Sequence, residues 1–429
     1  MKVLIISAEV WQEKTNGGNV LSNMFKNMDW EFAQIYCNPG MPENKICSKY
    51  YQMTDGMVIR NTFLHKPIGK EFEFEFQKDE RDTEKIELPN QRFYSFFHKY
   101  RLGIFYFAKH LLWNISNWKN ENLKKFIDDF SPDIIFAPCY GDKFLLRLAR
   151  FVGDYTGKKI ISYISDDHYT LKQFSISPIF WIERFILRNE LRKTFPYYSL
   201  VYTMTETQKL QCEKDLNANM KILRKAAPYV NAQNDKVVNS PLRIVYAGGI
   251  YLNRWKTLKM LVDVLKDINK DGVKAILDVY TANEITSEIN QALNDGINGI
   301  IHNSVSQSEL EKIYQKSDIA LHVESFDLKN RLLVRMSFST KIVDCLSSGC
   351  AIMAICDSKQ AGFEYLNSEN AAICVSNTEE IKQALSRLIE EKHLILEYAN
   401  NAKQCCIRNH DVNKIEEMIR CDFENLVVS

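Results

Sequence analysis

The stretch SFSTKIVDCLSSGCAIMA, residues 337–354, predicts a polar turn, a short helix and a buried strand in direct succession. Ser339 and Thr340 are residue types that favour the N-cap of a helix, and Gly349 is typical of the position just after one. Residues 350–356 are apolar throughout, as in a parallel strand that is covered on both faces. A helix that starts in such a turn presents free N–H groups and the positive end of its dipole, which together bind phosphate. The stretch therefore predicts an α/β protein with an anion-binding turn.

Two charged residues within the predicted helix indicate what the anion belongs to. Asp344 lies one turn inside the helix, where its carboxylate can accept hydrogen bonds from both hydroxyls of a ribose. Lys341 lies in the first turn, where a cation is unfavourable beside the helix dipole unless an anion is near. We therefore expect Asp344 to bind the ribose of a nucleotide, and Lys341, Ser339 and Thr340 to bind its diphosphate.

Strand-like and helical segments alternate over most of the chain of 429 residues, which is too long for one ordinary core. This alternation predicts α/β architecture with parallel, doubly wound sheets. We assign residues 1–227 to a first Rossmann-like domain, residues 228–241 to a polar linker and residues 242–405 to a second Rossmann-like domain, with a C-terminal helix at 406–429. The predicted strands comprise residues 2–7, 31–37, 133–139, 158–164, 200–204 and 220–223, then 242–247, 275–280, 318–323 and 350–356, with a short strand near residue 300.

The composition excludes several classes of protein. Lys and Arg number 55 against 54 Asp and Glu, so the total charge gives no indication of nucleic-acid binding. The eleven cysteines contain no CxxC pair, which argues against a zinc site or a disulfide framework and favours reduced, buried thiols in the cytoplasm. The apolar run that opens the chain is too short for a signal peptide, and no segment is as apolar as a membrane span. We therefore expect a soluble or peripheral protein, in the cytoplasm or at the inner face of the membrane.

The stretch 337–354 resembles the nucleotide-sugar site of GT-B glycosyltransferases, especially the large retaining family (glycosyltransferase family 4-like) that includes many bacterial cell-surface polysaccharide enzymes. The signature of that family reads Glu-x-Phe-Gly-x-x-x-x-Glu and precedes an Ala-x-Gly-x-Pro-Val-like turn and strand. Phe338 and Asp344 occupy the places of the Phe and the second acid, whereas Met336 replaces the first acid. Residues 340–344, TKIVD, are similar to the Pro-x-Lys-x-x-Glu core that is common in the same superfamily.

The resemblance implies a glycosyltransferase with two Rossmann-like domains that face a central cleft. In this arrangement the second domain holds a nucleoside diphosphate sugar as donor, and the first domain holds a glycan or lipid-linked acceptor. The reaction implied is transfer of a sugar, hexosyl in type, with retention of configuration, in the synthesis of cell-surface polysaccharide. Enzymes of this fold seldom need a bound metal, and the resemblance implies no cofactor.

Two glycine-containing turns are the predicted partners of the donor phosphates. In the second domain Gly249 ends the first strand, and Arg254 and Lys256 follow closely; the resemblance implies that basic residues here neutralise the departing diphosphate. Gly249 itself stands where the family has a basic residue directly after the glycine. In the first domain Gly17 and Gly18 look like the loop that family members place against the donor, although Asn-Gly is equally a common turn.

The catalytic candidates are Asp166, Asp167 and His168, which follow a predicted strand of the first domain. Ligands bind at the carboxyl ends of strands in open α/β sheets, and the resemblance implies a His or Asp there that touches the transferred sugar. A metal site of two acids is less favoured, because adjacent acids in an extended strand point to opposite sides. The alternative is that these residues only cap the next segment. Glu324 is a further candidate acid, which would replace the one missing at Met336.

Two stretches in the first domain combine aromatic and basic residues. They comprise residues 93–113 and 180–188. Aromatic rings beside Lys and Arg suit a membrane interface, which agrees with a lipid-linked acceptor and peripheral membrane contact. An aromatic face packed in the core is the alternative for each stretch.

Three other functions stay open at this point. A nucleotide-sugar 2-epimerase of the same fold would need acids and a histidine at the sugar but no acceptor. A noncatalytic nucleotide- or sugar-binding module would be consistent with the loss of the acid at Met336. A dinucleotide-dependent enzyme is less favoured, because neither glycine-rich turn has the GxGxxG pattern.

Overall fold

The computed structural model describes residues 1–12, 16–73, 103–227 and 236–428. Over these residues the chain forms two α/β domains, each built on a mainly parallel sheet. Residues 228–235 of the predicted linker and residues 93–102 of the first aromatic stretch lie outside the described residues.

Eight strands form the sheet of the first domain within the described part of the chain. They are β1 (Lys2–Ser7), β2 (Glu31–Tyr36), β3 (Cys47–Gln52), β4 (Lys70–Glu73), β5 (Ile134–Phe136), β6 (Ile160–Ile164), β7 (Tyr198–Thr203) and β8 (Met220–Ile222). The sheet has the order β4-β3-β2-β1-β5-β6-β7-β8, with parallel pairings except between β3 and β4. Val3, Leu4 and Ile5 in β1 have no exposed surface, as expected for apolar residues in a strand covered on both faces.

The helices of the first domain connect these strands across both faces of the sheet. They are α1 (Asn16–Phe25), α2 (Asp55–Leu64), α3 (Gly103–Ile115), α4 (Glu121–Phe130), α5 (Lys143–Thr156), α6 (Pro178–Thr194) and α7 (Glu206–Leu216), with a 3₁₀ turn at Phe195–Tyr197. The caps follow the sequence: Asp142 accepts the backbone N–H of Phe144 at 2.8 Å where α5 begins, and Gly157 ends α5 with a φ of 66°. The predicted turn at Gly17 and Gly18 is instead the first turn of α1.

Six parallel strands form the second sheet, in the order β11-β10-β9-β12-β13-β14. They are β9 (Leu242–Ala247), β10 (Ala275–Thr281), β11 (Gly299–Asn303), β12 (Ile319–Val323), β13 (Ala351–Ile355) and β14 (Ile373–Val375). The helices of this part are α8 (Arg254–Ile268), α9 (Ser287–Leu293), α10 (Gln307–Lys316), α11 (Leu328–Leu333), α12 (Lys341–Ser347), α13 (Ala361–Ser368), α14 (Thr378–Glu390) and α15 (His393–Asn409). Gly349 follows α12 with a φ of 77°, in the left-handed conformation that its place in the sequence predicts.

The last helix, α16 (Val412–Val428), packs against the first domain. The ring centre of Phe423 lies 5.6 Å from that of Phe25 and 5.0 Å from that of Trp30, and Lys221 Nζ lies 2.7 Å from the carboxylate of Asp422. The chain turns from α15 to α16 at His410, so the boundary assigned between residues 405 and 406 falls inside α15. The helix continues past that point because Cys405 and Cys406 are still buried in the core, with no exposed surface.

Candidate functional site

A cavity of about 640 Å³ lies between the two domains, at the carboxyl ends of their strands. Its walls in the first domain include residues of α1 and of the segments that follow β6, β7 and β8. Its walls in the second domain include the segments that follow β9 and β12 and the turn before α12. Open α/β sheets bind ligands at this edge, so this cavity, called the cleft below, is the candidate site.

Lys341 is the first residue of α12 and lines the cleft. Its Nζ donates to the carbonyl oxygen of Ala247 at 3.1 Å. Gly248 makes room for this contact, because a Cβ at that position would lie 2.2 Å from Nζ. Burial lowers the pKa of Lys341 below its ordinary value, and no carboxylate in the described ranges forms an ion pair with it. A partly desolvated ammonium without a counter-ion favours an anion beside it.

The hydroxyls of Ser339 and Thr340 border the same part of the cleft. Of the two residues predicted to cap α12, Thr340 takes the N-cap position, but it has helical backbone angles and its side chain makes no capping hydrogen bond. Instead, the N–H of Ile342 donates to the carbonyl of Ser339 at 3.0 Å, and that of Val343 to the carbonyl of Thr340 at 3.2 Å. The helix therefore starts with a tight 3₁₀-like turn, and both hydroxyls can donate to a ligand.

Arg254 lines the cleft and forms a bidentate ion pair with Glu324. Its Nε and Nη2 donate to the two carboxylate oxygens at 2.9 and 2.8 Å, and both residues are buried. Burial alone lowers the pKa of Arg254, but the hydrogen bonds to Glu324 raise it overall. The charge that Arg254 offers to a diphosphate is thus largely neutralised, in contrast to that of Lys341. Glu324, the further candidate acid, accordingly lies in the cleft wall.

Two other predicted donor residues, Lys256 and Gly249, are not part of the cleft lining. Lys256 is exposed, and its Nζ lies 5.5 Å from the ring centre of Trp255. Gly249 packs against Tyr251, where a Cβ on the glycine would lie 2.2 Å from Cε1 of the ring. Neither residue lines the cleft. The structure therefore makes Lys256 a surface residue and gives Gly249 the role of admitting the ring of Tyr251.

Asp344 forms an ion pair with Lys225 of the first domain. Nζ of Lys225 lies 2.9 Å from Oδ1 of Asp344, and both side chains are partly buried. Lys225 lines the cleft, whereas Asp344 does not. In this conformation a ribose reaches Asp344 only if Lys225 moves aside, so the ribose contact of Asp344 stays a prediction.

Arg224 and Lys225 are cleft cations that the sequence analysis missed. The guanidinium carbon of Arg224 lies 4.7 Å from the ring centre of Tyr365, and within the described residues it has no ion-pair partner. Both basic residues closely follow the end of β8. This position is the signal that could have identified them, because strand ends of both sheets meet at the cleft.

The glycine pair of the first domain lies beside the cleft rather than in its lining. Gly18 is buried, and a Cβ there would lie 1.9 Å from the backbone oxygen of Gln12. The helix continues from Gly17 and Gly18 into Asn19 and Asn23, whose side chains do line the cleft. Gly18 therefore allows the chain before α1 to approach the helix closely, which places α1 against the cleft.

Asp167, one of the three predicted catalytic residues, is fully engaged within the protein. It is buried, and its carboxylate accepts the backbone N–H of Thr170 at 2.8 Å and a guanidinium N–H of Arg184 at 3.0 Å. It also accepts from Arg335 of the second domain at 3.3 Å. A carboxylate with this many partners holds the segment after β6 in place, and we regard Asp167 as a positioning residue.

Asp166 and His168 face the cleft. Asp166 Oδ1 accepts the hydroxyl of Ser337, from the second domain, at 2.6 Å. The ring of His168 packs against Gly141, where a Cβ would lie 2.7 Å from Nδ1, and its Nε2 is buried without a partner among the described residues. Burial lowers the pKa of His168, against the opposing effect of Asp166. In a neutral imidazole Nε2 can either donate or accept a hydrogen bond, depending on the tautomer.

Comparison with known proteins agrees with this arrangement. Residues 279–419 match the model of a family described as glycosyl transferase-like. No curated protein matches the sequence. Sucrose-phosphate synthase from Thermosynechococcus elongatus is 11% identical, with a TM-score of 0.63 over 100% of this chain and 99% of that chain.

Two further solved structures share the fold. HepE of Anabaena, in complex with UDP, is 12% identical, with a TM-score of 0.64 over 99% of this chain and 100% of that chain. A structure described as trehalose-6-phosphate from E. coli bound with UDP-2-fluoro glucose is 12% identical, with a TM-score of 0.58 over 99% of both chains. These similarities confirm the predicted GT-B architecture and the resemblance to GT-B glycosyltransferases.

Proposed function

We propose that the protein is a glycosyltransferase that moves a sugar from a UDP-sugar donor to a hydroxyl group of an acceptor glycan. The observation that carries this proposal is that Lys341, which has no carboxylate partner among the described residues, lines the same cleft as His168, whose Nε2 has no hydrogen-bond partner among them. A site that binds a UDP-sugar requires a cation beside the diphosphate and a neutral hydrogen-bonding group beside the sugar. The family match of residues 279–419 and the UDP bound by HepE support the choice of donor.

In the proposed reaction the bond between C1 of the sugar and the diphosphate oxygen breaks, and a bond between C1 and the acceptor oxygen forms. The acceptor hydroxyl gives its proton to an oxygen of the departing diphosphate, and UDP leaves with the electrons of the broken bond. Negative charge develops on the departing diphosphate, where Lys341, Arg224 and the hydroxyls of Ser339 and Thr340 stabilise it. His168 hydrogen-bonds the transferred sugar. Retention of configuration is proposed from the family resemblance, and NMR of the anomeric proton in the first product formed tests it.

Titration calorimetry with UDP tests the donor site. Lys341→Met keeps the apolar stem and removes the ammonium, so we expect UDP to bind about 10- to 150-fold more weakly, because a charged hydrogen bond contributes about 1.5–3 kcal/mol. Lys256→Met is the matched control, since this lysine lies on the surface, and it should leave UDP affinity unchanged. Equal affinities of the wild type and Lys341→Met contradict the donor site. Failure of the wild type to bind UDP contradicts the proposed function.

An exposed apolar surface on the first domain supports a lipid-linked acceptor. It lies in residues 171–185, where the exposed fractions are 92% for Ile176, 54% for Ile182 and 56% for Phe185. Surfaces of this kind mark sites of membrane or protein contact, and the exposed Lys172 adds a cation that attracts anionic lipids. The same segment contributes Phe180 to the cleft. We propose that it holds the enzyme at the inner face of the cytoplasmic membrane during synthesis of cell-surface polysaccharide.

Co-sedimentation with phosphatidylglycerol vesicles tests the membrane contact. No helix in the described part of the chain is both long and apolar enough to cross a bilayer. We expect the double substitution Ile176→Ser and Ile182→Ser to lower the fraction bound to vesicles several-fold. Ile297→Ser is the control, because this isoleucine is 55% exposed on the second domain. Equal binding of the double variant and the control variant contradicts the membrane contact.

A further inference from the structure

An ion pair between the two domains occupies the place predicted for the ribose. Nζ of Lys225, in the segment that follows β8, lies 2.9 Å from Oδ1 of Asp344 in α12. Both side chains are partly exposed, and Oδ2 of Asp344 has no hydrogen-bond partner among the described residues. A ribose that places both of its hydroxyls on this carboxylate therefore finds one oxygen available and has to take the other from Lys225.

The backbone at Lys225 is fixed, so its side chain is the part that can leave Asp344. The carbonyl oxygen of Lys225 lies 2.8 Å from Nδ1 of His410, and the N–H of Ala227 donates to the carbonyl of His410 at 2.9 Å. The lysine stem, by contrast, is flexible, and its ammonium carries three donors. Asp344 is the only hydrogen-bond partner of this ammonium within the described ranges. A phosphate can therefore bind the ammonium before the bond to Asp344 breaks.

Lys225 also lies near the cations predicted to bind the diphosphate. It lines the cleft together with Arg224 and Lys341. Burial and, to a smaller extent, the positive charge of Lys225 lower the pKa of Lys341, whereas the charge of Asp344 opposes this effect. The ammonium groups of the two lysines thus repel each other, and an anion bound between them removes the repulsion. A Lys225 side chain that leaves Asp344 finds a new counter-ion here only if the ligand carries phosphate.

From these contacts we infer that Lys225 is a specificity-determining residue, which exchanges Asp344 for the donor diphosphate and so restricts the site to phosphorylated nucleosides. The inference rests on the proposed function, because that function supplies the diphosphate. A nucleoside offers ribose hydroxyls but no anion, so it has to separate a partly buried ion pair without compensation. A nucleoside diphosphate replaces the carboxylate with its own charge. The ion pair therefore weakens the binding of nucleosides selectively.

Titrations of the full-length protein test this inference, with uridine followed by saturation-transfer NMR and UDP by calorimetry. Lys225→Met keeps the apolar stem and leaves both carboxylate oxygens of Asp344 to the ribose. We expect this variant to bind uridine about fivefold more tightly, because no ion pair has to be separated. UDP should bind about 3- to 30-fold more weakly, because a charged hydrogen bond to phosphate is lost. Loss of a merely structural contact between the domains would change both affinities in the same direction.

Two further variants complete the experiment. Lys225→Gln also lacks the charge, and it should change the two affinities in the same directions as Lys225→Met. Lys259→Met is the matched control, since Lys259 forms an ion pair with Asp263 on the exposed surface of α8 and does not line the cleft. This control should leave the affinities for uridine and UDP unchanged.

Two outcomes overturn the inference. One is uridine binding that is no tighter in the variants of Lys225 than in the wild type, and the other is UDP binding that is no weaker. In both cases, binding of UDP by the wild type leaves the proposed function standing. If the wild type does not bind UDP, the proposed function is wrong and the exchange by Lys225 is wrong with it.

Discussion

Lowering the pH from 7 to 5 is expected to destabilise the protein through His410, which lies between α15 and α16. His410 has no exposed surface. Its Nδ1 lies 2.8 Å from the carbonyl oxygen of Lys225 in the first domain, and its Nε2 lies 2.8 Å from the hydroxyl of Tyr365. A carbonyl oxygen only accepts, so the proton of the neutral ring is on Nδ1 and Nε2 accepts from Tyr365. A second proton would put a charge into this buried contact between the domains.

The size of the effect follows from the pKa of His410 in the folded and unfolded chain. Burial, opposed by the hydrogen bond to Lys225, lowers the pKa of His410 to about 4, whereas an unfolded histidine has a pKa of about 6.5. The unfolded chain therefore takes up the proton first. The contribution of neutral His410 to the free energy of unfolding is fully present above about pH 6.5. It is lost as the pH falls towards 4, at about 1.4 kcal/mol per pH unit. The total is about 3 kcal/mol, of which about 2 kcal/mol is lost by pH 5.

Urea denaturation at pH 7 and at pH 5 measures this loss. Glutamine at position 410 can donate to the carbonyl of Lys225 and accept from Tyr365, but it does not titrate. From pH 7 to pH 5, we expect the free energy of unfolding of the wild type to fall by about 2 kcal/mol more than that of His410→Gln. His393→Gln is the control, because this histidine side chain is 71% exposed, and it should behave as the wild type does. Equal losses in the wild type and His410→Gln would refute the reasoning.

Three further predictions concern single substitutions. Met336→Glu, which restores the family's acid, should destabilise the fold by about 3–5 kcal/mol in urea denaturation and give no gain in turnover, because Met336 is 2% exposed. Gly248→Ala should weaken UDP binding about tenfold by calorimetry with little change in melting temperature, since the new Cβ displaces the ammonium of Lys341. Phe423→Ala should cost about 3–5 kcal/mol of stability, whereas Val428→Ala on the exposed end of α16 should be nearly neutral in the same urea assay.

Most strands of the fold could be predicted because they are continuous apolar runs between turn residues. β1, β9, β12 and β13 are of this kind, and the observed bounds differ from the predicted ones by one residue at most. The strand at Cys47–Gln52 was missed because it contains Ser and Lys, so its strand conformation depends on pairing with its neighbours. β14 was missed because three residues are too few for a pattern.

The candidate site could be predicted only where its residues are neighbours in the sequence. The turn of Ser339, Thr340 and Lys341 was found in this way, and it lines the cleft. The partners of the other charged residues come from distant parts of the chain: Arg254 and Glu324 are 70 positions apart, and Lys225 and Asp344 are 119 positions apart. Such pairs decide which cations are free to bind an anion, and local patterns carry no information about them.

The return of α16 to the first domain has a consequence for biosynthesis on the ribosome. Phe423 covers an aromatic face formed by Phe25 and Trp30, yet the whole second domain is translated between these residues. At 5–20 residues per second, the interval from Ala227 to Val412 takes roughly 10–40 s. During that time the nascent first domain exposes an apolar surface that its own sequence cannot yet cover. Chaperone binding to stalled nascent chains should therefore be strongest before α16 emerges and should fall once it has docked.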